Sequence, residues 1–371
     1  MKKILKLRRI WLLLLYPIAA GLIYFASKYE IFAEWYANTI YPVISRIGNS
    51  LTGLAPFSVG EVLVYIFIIM VPAVFIRFFI HLVKKKENRG ETTIKFCVNL
   101  ACFTGIVFFL FAVNCGTNYY RSTFAQTSGL EVKQSGETEL ARLCKNLAAD
   151  SDNFRSKVKT DSQSVMKLNS QSFSQNAQDA RKAFDSLSKD YPLLWAGYSA
   201  PKPVISSKLM SYCNITGIFF PFTFEANVNT DVPDYTIPFT MCHELSHLRG
   251  FMREDEANFI SYLACEKSVN PDFQYSGAVS AFTYASNALY SVDNSAANTV
   301  YAQLSAGVKK DLEYNSAYWD KFKGPAADAA NSVNNSYLRA NDQKDGVQSY
   351  GRMVDLLLAL QRSKENKSAA K

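Results

Sequence analysis

The chain has 371 residues, a formal net charge of +8 and 49% hydrophobic residues. That length is enough for a membrane anchor followed by a globular domain with a full core. A positive charge is compatible with nucleic-acid binding, but the basic residues cluster at residues 1–9, at residues 84–89 and at the C-terminus, beside apolar segments. Such a distribution is typical of a membrane protein, so we expect no nucleic-acid partner.

Three apolar segments in the first third of the chain are long enough to cross a bilayer, which takes about 20 helical residues. They cover approximately residues 10–26, 62–80 and 96–113. The first is also compatible with a cleaved signal peptide, but no small-residue cleavage site closes it and two further segments follow. The second contains Pro72 and Arg77 and is also compatible with a buried core helix. Together they predict a membrane anchor over residues 1–117, with the lipid bilayer as its partner.

The charges beside these segments predict their orientation, because cytoplasmic loops carry an excess of Lys and Arg. Basic residues precede the first segment, and a second basic cluster lies between the second and third segments. Both clusters, and the N-terminus, are therefore expected in the cytoplasm. The loop at residues 28–61 then faces outward. Three crossings place residues 118–361 outside as one extracytoplasmic domain, and residues 362–371 are expected to be a disordered tail.

The outer part changes character along its length. Residues 122–189 are polar with apolar residues at helical spacing, including Val165 and Leu168, and predict helices. Residues 215–229 are rich in aromatic and β-branched residues and are typical of strands, where Pro221 fits an edge strand or a bulge. The remainder is again helical. The expected fold class is α+β, mostly α, with a small sheet.

The seven cysteines form two groups. Those beside the third apolar segment, Cys97, Cys102 and Cys115, are expected to pack as apolar residues. Those in the outer part are Cys144, Cys213, Cys242 and Cys265. Disulfide pairing and four free buried thiols are both compatible with this even number in an oxidising compartment.

The segment His243-Glu244-Leu245-Ser246-His247 contains two of the three histidines in the chain. On a helix, imidazoles four residues apart lie on the same face and can bind one Zn²⁺. Glu244 lies beside such a metal and can accept a proton from water. The motif therefore predicts Zn²⁺ as the cofactor, His243 and His247 as metal ligands, and Glu244 as the catalytic residue.

Zinc in a peptidase needs a third protein ligand. His81 lies at the cytoplasmic edge of the second apolar segment and cannot supply it. The nearby carboxylates are Glu254, Asp255 and Glu256. On one continuous helix Glu254 would lie about 16 Å along the axis from His243, too far to share a metal. The helix must therefore end, and Gly250 is placed to end it so that a second helix folds back towards the metal.

The HExxH motif followed by Glu254-x-x-Ala257-Asn258 resembles the paired HExxH and ExxA(D/N) elements of gluzincin-type peptidases. The resemblance implies a zincin-like domain with Glu254 as the third ligand. The two elements are closer together than is usual in that class. Their spacing is also similar to the HExxHxxGxxH motif of metzincins, but there the third position would be Arg253, which cannot bind a metal. Asp255 and Glu256 therefore stay open as alternatives.

Nearly the whole chain also resembles domain of unknown function family 3810, a group of bacterial membrane proteins. The likeness includes the three apolar segments and residues 221–229, 254–259 and 349–352. It implies a peptidase-like protein in a bacterial cell membrane and supplies no substrate.

Other residues are candidates for supporting roles. Residues 217–224 are a candidate edge strand that binds the substrate backbone, although a purely structural strand is equally compatible. An oxyanion donor is also required, and the candidates are Tyr301, Tyr350, Arg249 and Arg352. Glu225 and Asn227 are candidate hydrogen-bond partners of the metal ligands.

The combined prediction is a membrane-anchored zinc metalloprotease that hydrolyses peptide bonds in an envelope or extracellular substrate. One alternative is a non-catalytic membrane receptor or scaffold that retains a structural metal site. Another is an intramembrane protease, but the charged residues around positions 243–256 argue against it. Nothing in the sequence indicates an oligomeric state.

Overall fold

The structure is a computed structural model that describes residues 8–84, 88–340 and 351–369. It is mostly helical, with 74% of residues in helices and two small sheets. The predicted fold class, α+β and mostly α, is confirmed.

The helices and strands follow one another in this order. The N-terminal part contains α1 (Leu15–Lys28), α2 (Glu30–Thr39), α3 (Tyr41–Thr52), α4 (Val59–Lys84) and α5 (Arg89–Asn114). Next come α6 (Phe124–Ser128), α7 (Glu137–Arg155), β1 (Lys159–Thr160), β2 (Met166–Lys167), α8 (Phe173–Leu187), β3 (Lys202–Pro203), α9 (Ser207–Tyr212), β4 (Gly217–Phe220) and β5 (Glu225–Val228). The rest is helical: α10 (Ile237–Leu248), α11 (Glu254–Lys267), α12 (Pro271–Val292), α13 (Asn294–Gln303), α14 (Ala306–Asp320), α15 (Pro325–Ala340) and α16 (Gly351–Ala369).

Three helices of the described residues are long and apolar enough to cross a membrane. They cover Arg9–Lys28, Val59–Lys84 and Arg89–Asn114, so the three predicted segments are confirmed as candidate spans. No residue of the apolar window in the second span is buried. This exposed surface fits contact with lipid, and it excludes a core helix at that position. Pro72 lies inside the helix.

The segment between the first two spans packs on the outer part of the chain. The Tyr41 hydroxyl donates a hydrogen bond to the Leu248 carbonyl (3.1 Å), and the Asn49 amide donates one to the Phe224 carbonyl (2.8 Å). Helices α2 and α3 therefore belong to the same packed body as the C-terminal helices. The domain boundary placed at residue 117 stays a prediction, but the packed body includes residues that precede it.

The core of the outer part is built around α10, α11 and α12. Helix α12 packs along α7, α11 packs on α8, and α10 packs on the three-stranded sheet. In this sheet β5 is central, with β3 parallel on one side and β4 antiparallel on the other. Strand β4 is therefore at one edge, as predicted for residues 217–224. Pro221 lies in the turn that follows β4.

The prediction of a helix at Val165 and Leu168 is wrong. Both residues flank β2, which pairs antiparallel with β1 in a short hairpin. The Asp161 carboxylate accepts the backbone N–H groups of Gln163 and Val165 (2.9 and 3.0 Å) and so stabilises the turn. Both apolar side chains are buried.

The predicted disordered tail is also wrong over most of its length, because α16 continues to Ala369. Ion pairs hold this end of the helix to the domain. Arg362 pairs with Glu139 (3.1 Å) and Lys364 pairs with Glu266 (2.5 Å). Residues 370–371 lie outside the described part.

The seven cysteines are all free thiols. Cys144, Cys242 and Cys265 are buried, and Cys213 is partly buried. Of the two alternatives for the outer cysteines, the structure therefore has the one without disulfides.

Candidate metal centre

The HExxH motif lies on α10, a helix that is buried along nearly its whole length. The helix ends at a left-handed glycine, Gly250, with φ +85°. The Gly250 N–H bonds the His247 carbonyl (2.9 Å) and the Phe251 N–H bonds the Ser246 carbonyl (3.3 Å). These two bonds form a Schellman motif, which satisfies the last carbonyls of the helix. The predicted helix break at Gly250 is confirmed.

After this break α11 begins at Glu254 and folds back on α10. The His243 Nε2 lies 3.0 Å from the His247 Nε2 and 3.2 Å from the Glu254 Oε2. The His247 Nε2 lies 3.7 Å from the Glu254 Oε1. Among the described residues, these three form the one group of His, Cys, Asp or Glu side chains that can hold a metal ion.

The separations fit a zinc ion. A tetrahedral zinc ion bound to nitrogen and oxygen at about 2.0–2.1 Å holds its ligand atoms about 3.3 Å apart. The observed distances of 3.0, 3.2 and 3.7 Å lie on either side of this value, and the two contacts of Glu254 are made by its two different carboxylate oxygens. Two imidazoles and one carboxylate are also a ligand set found in catalytic zinc sites, where a fourth position is left for water.

Hydrogen bonds to the other ring nitrogens orient both imidazoles. The His243 Nδ1 donates to the Asn258 Oδ1 (2.9 Å), and the His247 Nδ1 donates to the Phe251 carbonyl (2.7 Å). Each bond directs Nε2 towards the shared position between the three ligands. The role of Asn258 has a sequence signal, since it follows Glu254 by four residues and shares its helix face. The Phe251 carbonyl is a backbone group, so no residue type in the sequence indicates its role.

The alternative third ligands do not join the group. The Glu256 Oε1 accepts the Phe124 N–H (2.8 Å) and pairs with Arg253 (3.3 Å). Asp255 lies on another face of α11, where burial raises its pKa to about 6. Successive helix residues are rotated by about 100°, so only one of the three carboxylates can face the imidazoles.

The three side chains of the group shift one another's pKa values. Burial disfavours the charged Glu254 carboxylate, but a hydrogen bond from His243 and the charges of the imidazoles outweigh it and lower its pKa to about 2. Burial lowers the pKa of His247 to about 4. Burial lowers the pKa of His243, but the hydrogen bond and charge of Glu254 outweigh it and raise this pKa to about 9. A metal ion binds the anionic carboxylate and neutral imidazoles, so it would displace a proton from His243. Burial also raises the pKa of Glu244 to about 8, so this carboxyl group exchanges its proton close to neutral pH.

Strand β4 lies directly against Glu244. A Cβ at Gly217 would stand 2.5 Å from the Glu244 Oε1 and 2.8 Å from the Thr240 Cγ2, so only glycine fits there. The Phe219 backbone N–H faces the Glu244 carboxylate and favours its charged form, which lowers its pKa. The strand backbone is therefore in contact with the predicted catalytic residue, as an edge strand that presents substrate requires. The sequence alone did not single out Gly217.

The structure places two predicted oxyanion donors elsewhere. Arg249 is fully buried, donates to the Leu245 carbonyl (2.9 Å) and packs over the Phe184 ring (4.1 Å). Tyr301 is partly exposed on α13 beside Lys309. Arg352 lies on α16, and Tyr350 lies outside the described residues.

Three other tyrosines lie near the ligand carboxylate. Burial raises the pKa values of Tyr119, Tyr284 and Tyr337, and the nearby Glu254 charge raises each further. The Tyr119 hydroxyl donates to Tyr337 (3.1 Å), while the Tyr284 ring lies 6.5 Å from that of Phe239. They come from three distant parts of the chain, so no local pattern could have identified them.

The prediction that Glu225 and Asn227 support the metal ligands is wrong. The Glu225 carboxylate accepts the first N–H groups of α4, from Val59 (3.1 Å) and Gly60 (2.7 Å), and pairs with the buried Lys202 (2.5 Å). It caps a membrane helix, because that end of α4 is buried and its N–H groups need an acceptor. The Asn227 amide donates to the Ile218 carbonyl across the sheet (3.3 Å).

Searches of curated proteins and of solved structures found no match to this chain. A family model described as a protein of unknown function, DUF3810, matches residues 36–358. The match includes the metal-ligand group, the small sheet and two of the three candidate spans. With most of its length covered, the chain belongs to the DUF3810 family.

Proposed function

We propose that the chain is a membrane-anchored zinc metallopeptidase of the HExxH type. The observation that carries this proposal is the position of Glu254, which the turn at Gly250 brings within 3.2 Å of His243 and 3.7 Å of His247. Burying a carboxylate and two imidazoles costs free energy, and a cation bound between them would offset this cost.

Each residue of the group then has a role in peptide hydrolysis. His243, His247 and Glu254 would hold the metal. A zinc ion bound there would supply Lewis-acid chemistry for water and for a peptide carbonyl. Glu244 accepts the proton of the attacking water and delivers it to the amine nitrogen as the peptide C–N bond breaks.

The sheet edge supplies the place for the substrate. Among the described residues no strand pairs with the free side of β4, and Glu244 lies against Gly217 of this strand. An extended peptide that adds to this edge lies with its backbone along the catalytic carboxylate. Tyr284, near Glu254 on α12, is the candidate donor to the oxyanion.

We place the peptidase outside the cytoplasm. Lys84 and Arg89 lie at the ends of α4 and α5 that are distant from the domain. The domain joins the other ends, at Val59 and Asn114. Because basic residues mark the cytoplasmic side, the domain is extracytoplasmic, as in a bacterial envelope peptidase.

The test uses the full chain in detergent or lipid discs. Wild type is expected to purify with one zinc ion per chain and to cleave fluorescently labelled, denatured casein. Glu244→Gln should keep the zinc and lose about 10²–10⁴-fold in rate, because it removes the general base alone. A wild-type chain without zinc overturns the proposal. Stoichiometric zinc with no hydrolysis would instead favour the receptor or scaffold with a structural metal site.

A further inference from the structure

The C-terminal end of β4 contacts both membrane helices that enter the domain. The Phe220 ring packs against Gly60 in the first turn of α4, where a Cβ would lie 2.9 Å from the ring. Asn114, the last residue of α5, donates its amide to the Pro221 carbonyl (3.0 Å). The strand that begins beside the catalytic carboxylate therefore ends at two membrane spans.

The distances along this path are short. Gly217 lies beside Glu244 and Phe220 lies beside Gly60, so three strand residues, about 10 Å, connect the two contacts. The exposed apolar surface of α4 begins at Val62, about 3 Å further along the helix. The catalytic carboxylate is thus on the order of 13 Å from the lipid-facing surface of the anchor.

A second set of contacts connects the candidate metal ligands to the domain end of α5. Cys115 directly follows α5, and its Sγ lies 3.7 Å from the Met252 Sδ. Met252 follows Phe251, whose carbonyl orients His247. Strand β4 and the segment after the HExxH helix therefore both contact the domain ends of the membrane helices.

Buried carboxylates make this arrangement rigid. Glu225 caps the first N–H groups of α4 from the sheet. In return, Glu61 on α4 accepts the N–H groups of Ile205 and Ser206, each at 2.8 Å. Tilting α4 away from the domain would leave these buried charges without partners, which is costly. The distance between the candidate active site and the membrane is therefore fixed.

Exposed apolar side chains surround this end of the site, and we call them the lipid rim. They are Leu51, Leu54, Phe57 and Phe222. The Thr52 hydroxyl donates to the Thr223 carbonyl (2.9 Å) and so joins the two segments that carry them. Apolar side chains clustered at the end of a membrane anchor are typical of a surface that touches the bilayer interface.

From these contacts we propose that the substrate is a polypeptide anchored in the same membrane and cut a few residues from the lipid surface. This inference rests on the peptidase function proposed above. An extended chain covers about 13 Å in about four residues, so its juxtamembrane segment reaches Glu244 directly. Confinement to one membrane also raises the effective concentration of such a substrate.

Strand direction identifies which end of the substrate is anchored. Antiparallel pairs are about two to three times as frequent as parallel ones, and β4 already pairs antiparallel with β5. A peptide that adds antiparallel runs from Phe220 towards Gly217. Its N-terminal side then lies at the lipid, so the substrate is anchored through its N-terminal side.

The test reconstitutes the full chain in vesicles of phosphatidylethanolamine and phosphatidylglycerol. One unstructured casein segment is offered free, fused behind a transmembrane helix, or fused before one. A fourth reporter carries a Gly-Ser spacer of about ten residues, roughly 30 Å when extended, behind the helix. Mass spectrometry maps the bonds that are cut.

The N-terminally anchored segment is expected to be cut about four to ten residues from its anchor, and about tenfold faster than the C-terminally anchored one. The spacer should move the cuts to new bonds at the same distance from the helix. Cleavage of the same casein bonds in every reporter, or equal rates for both anchored forms, overturns the inference. Failure to cut any reporter, including the free segment, counts against the peptidase function itself.

A second measurement does not depend on turnover. In the Glu244→Gln chain, a photo-crosslinking amino acid replaces Ile218, which is 44% exposed on β4. Crosslinks are expected at the first residues behind the anchor of the N-terminally anchored reporter. The matched control carries the crosslinker at Val269, which is 97% exposed after α11 and is expected to give none. Crosslinks spread evenly over the reporter contradict the proposed position.

Discussion

The backbone of Gly217 lies in direct contact with the carboxylate of Glu244. A Cβ at position 217 would stand 2.5 Å from Oε1, well inside van der Waals contact. The candidate catalytic residue and the candidate substrate strand therefore depend on each other for their positions.

Gly217→Ala tests this dependence. The added methyl group should displace β4 or rotate the Glu244 side chain, so peptide hydrolysis should fall by about 10²-fold or more while zinc content is unchanged. Gly136→Ala is the control, because a Cβ at position 136 meets nothing within 4 Å. Equal activity of the two variants would show that the contact has no catalytic importance.

Gly250→Ala tests the helix break. Gly250 has φ +85°, and alanine at such a position destabilises the fold by about 1 kcal/mol. Gly129→Ala is a matched control with φ +72° at the end of α6. Thermal unfolding should show a lower Tm for both variants. Only Gly250→Ala should also weaken zinc binding, measured by competition with a fluorescent chelator, and similar affinities in both would contradict the role given to this turn.

The third ligand is tested by paired substitutions on α11. Glu254→Gln should purify with little or no zinc, since a neutral amide is a poor zinc ligand. Glu256→Gln should keep one zinc ion per chain, because Glu256 bonds Phe124 and Arg253 instead. Metal analysis of both proteins decides the assignment, which fails if the zinc is lost from Glu256→Gln and retained in Glu254→Gln.

Asn258 forms a hydrogen bond with the candidate metal ligand His243 (2.9 Å). Asn258→Ala removes the acceptor of the His243 Nδ1 proton and should weaken zinc affinity by about 10–100-fold. Asn258→Asp restores an acceptor at the same place and should recover most of the affinity. Zinc dissociation constants measured for both variants check this, and a loss that Asp does not rescue would indicate a packing defect.

Tyr284 is expected to act on the transition state. Tyr284→Phe should lower kcat by about 10²–10³-fold with little change in KM or zinc content, because the hydroxyl would stabilise the developing oxyanion. Tyr290→Phe on the same helix is the control, since Tyr290 is 56% exposed. An unchanged kcat in Tyr284→Phe would leave the oxyanion role to another donor.

The features that the sequence predicted correctly depend on local composition or on helix geometry. The three candidate spans depend only on runs of apolar residues. The length of a helix predicted the break at Gly250. On an unbroken helix Glu254 is too far from His243 to share a metal. Both arguments use residues that are close together in the chain.

The features that the sequence did not predict depend on contacts between distant segments. Glu225 resembled a partner of the metal ligands because it lies near them in the sequence, yet it caps α4 more than 160 residues earlier. Val165 and Leu168 have helical spacing, but a hairpin buries both of them. The contact between Gly217 and Glu244 needs the sheet and α10 to be assembled first.

The contact between Tyr41 and Leu248 has a consequence for how the protein can be released from its membrane. A fragment that begins at residue 118 would lack Tyr41, which bonds the last turn of the HExxH helix, and also Asn49, which bonds the turn before β5. The fragment would also lack α4, whose first N–H groups bond the Glu225 carboxylate. Proteolytic shedding of the domain would therefore yield an unstable fragment, and the proposed peptidase would act only where its anchor is inserted.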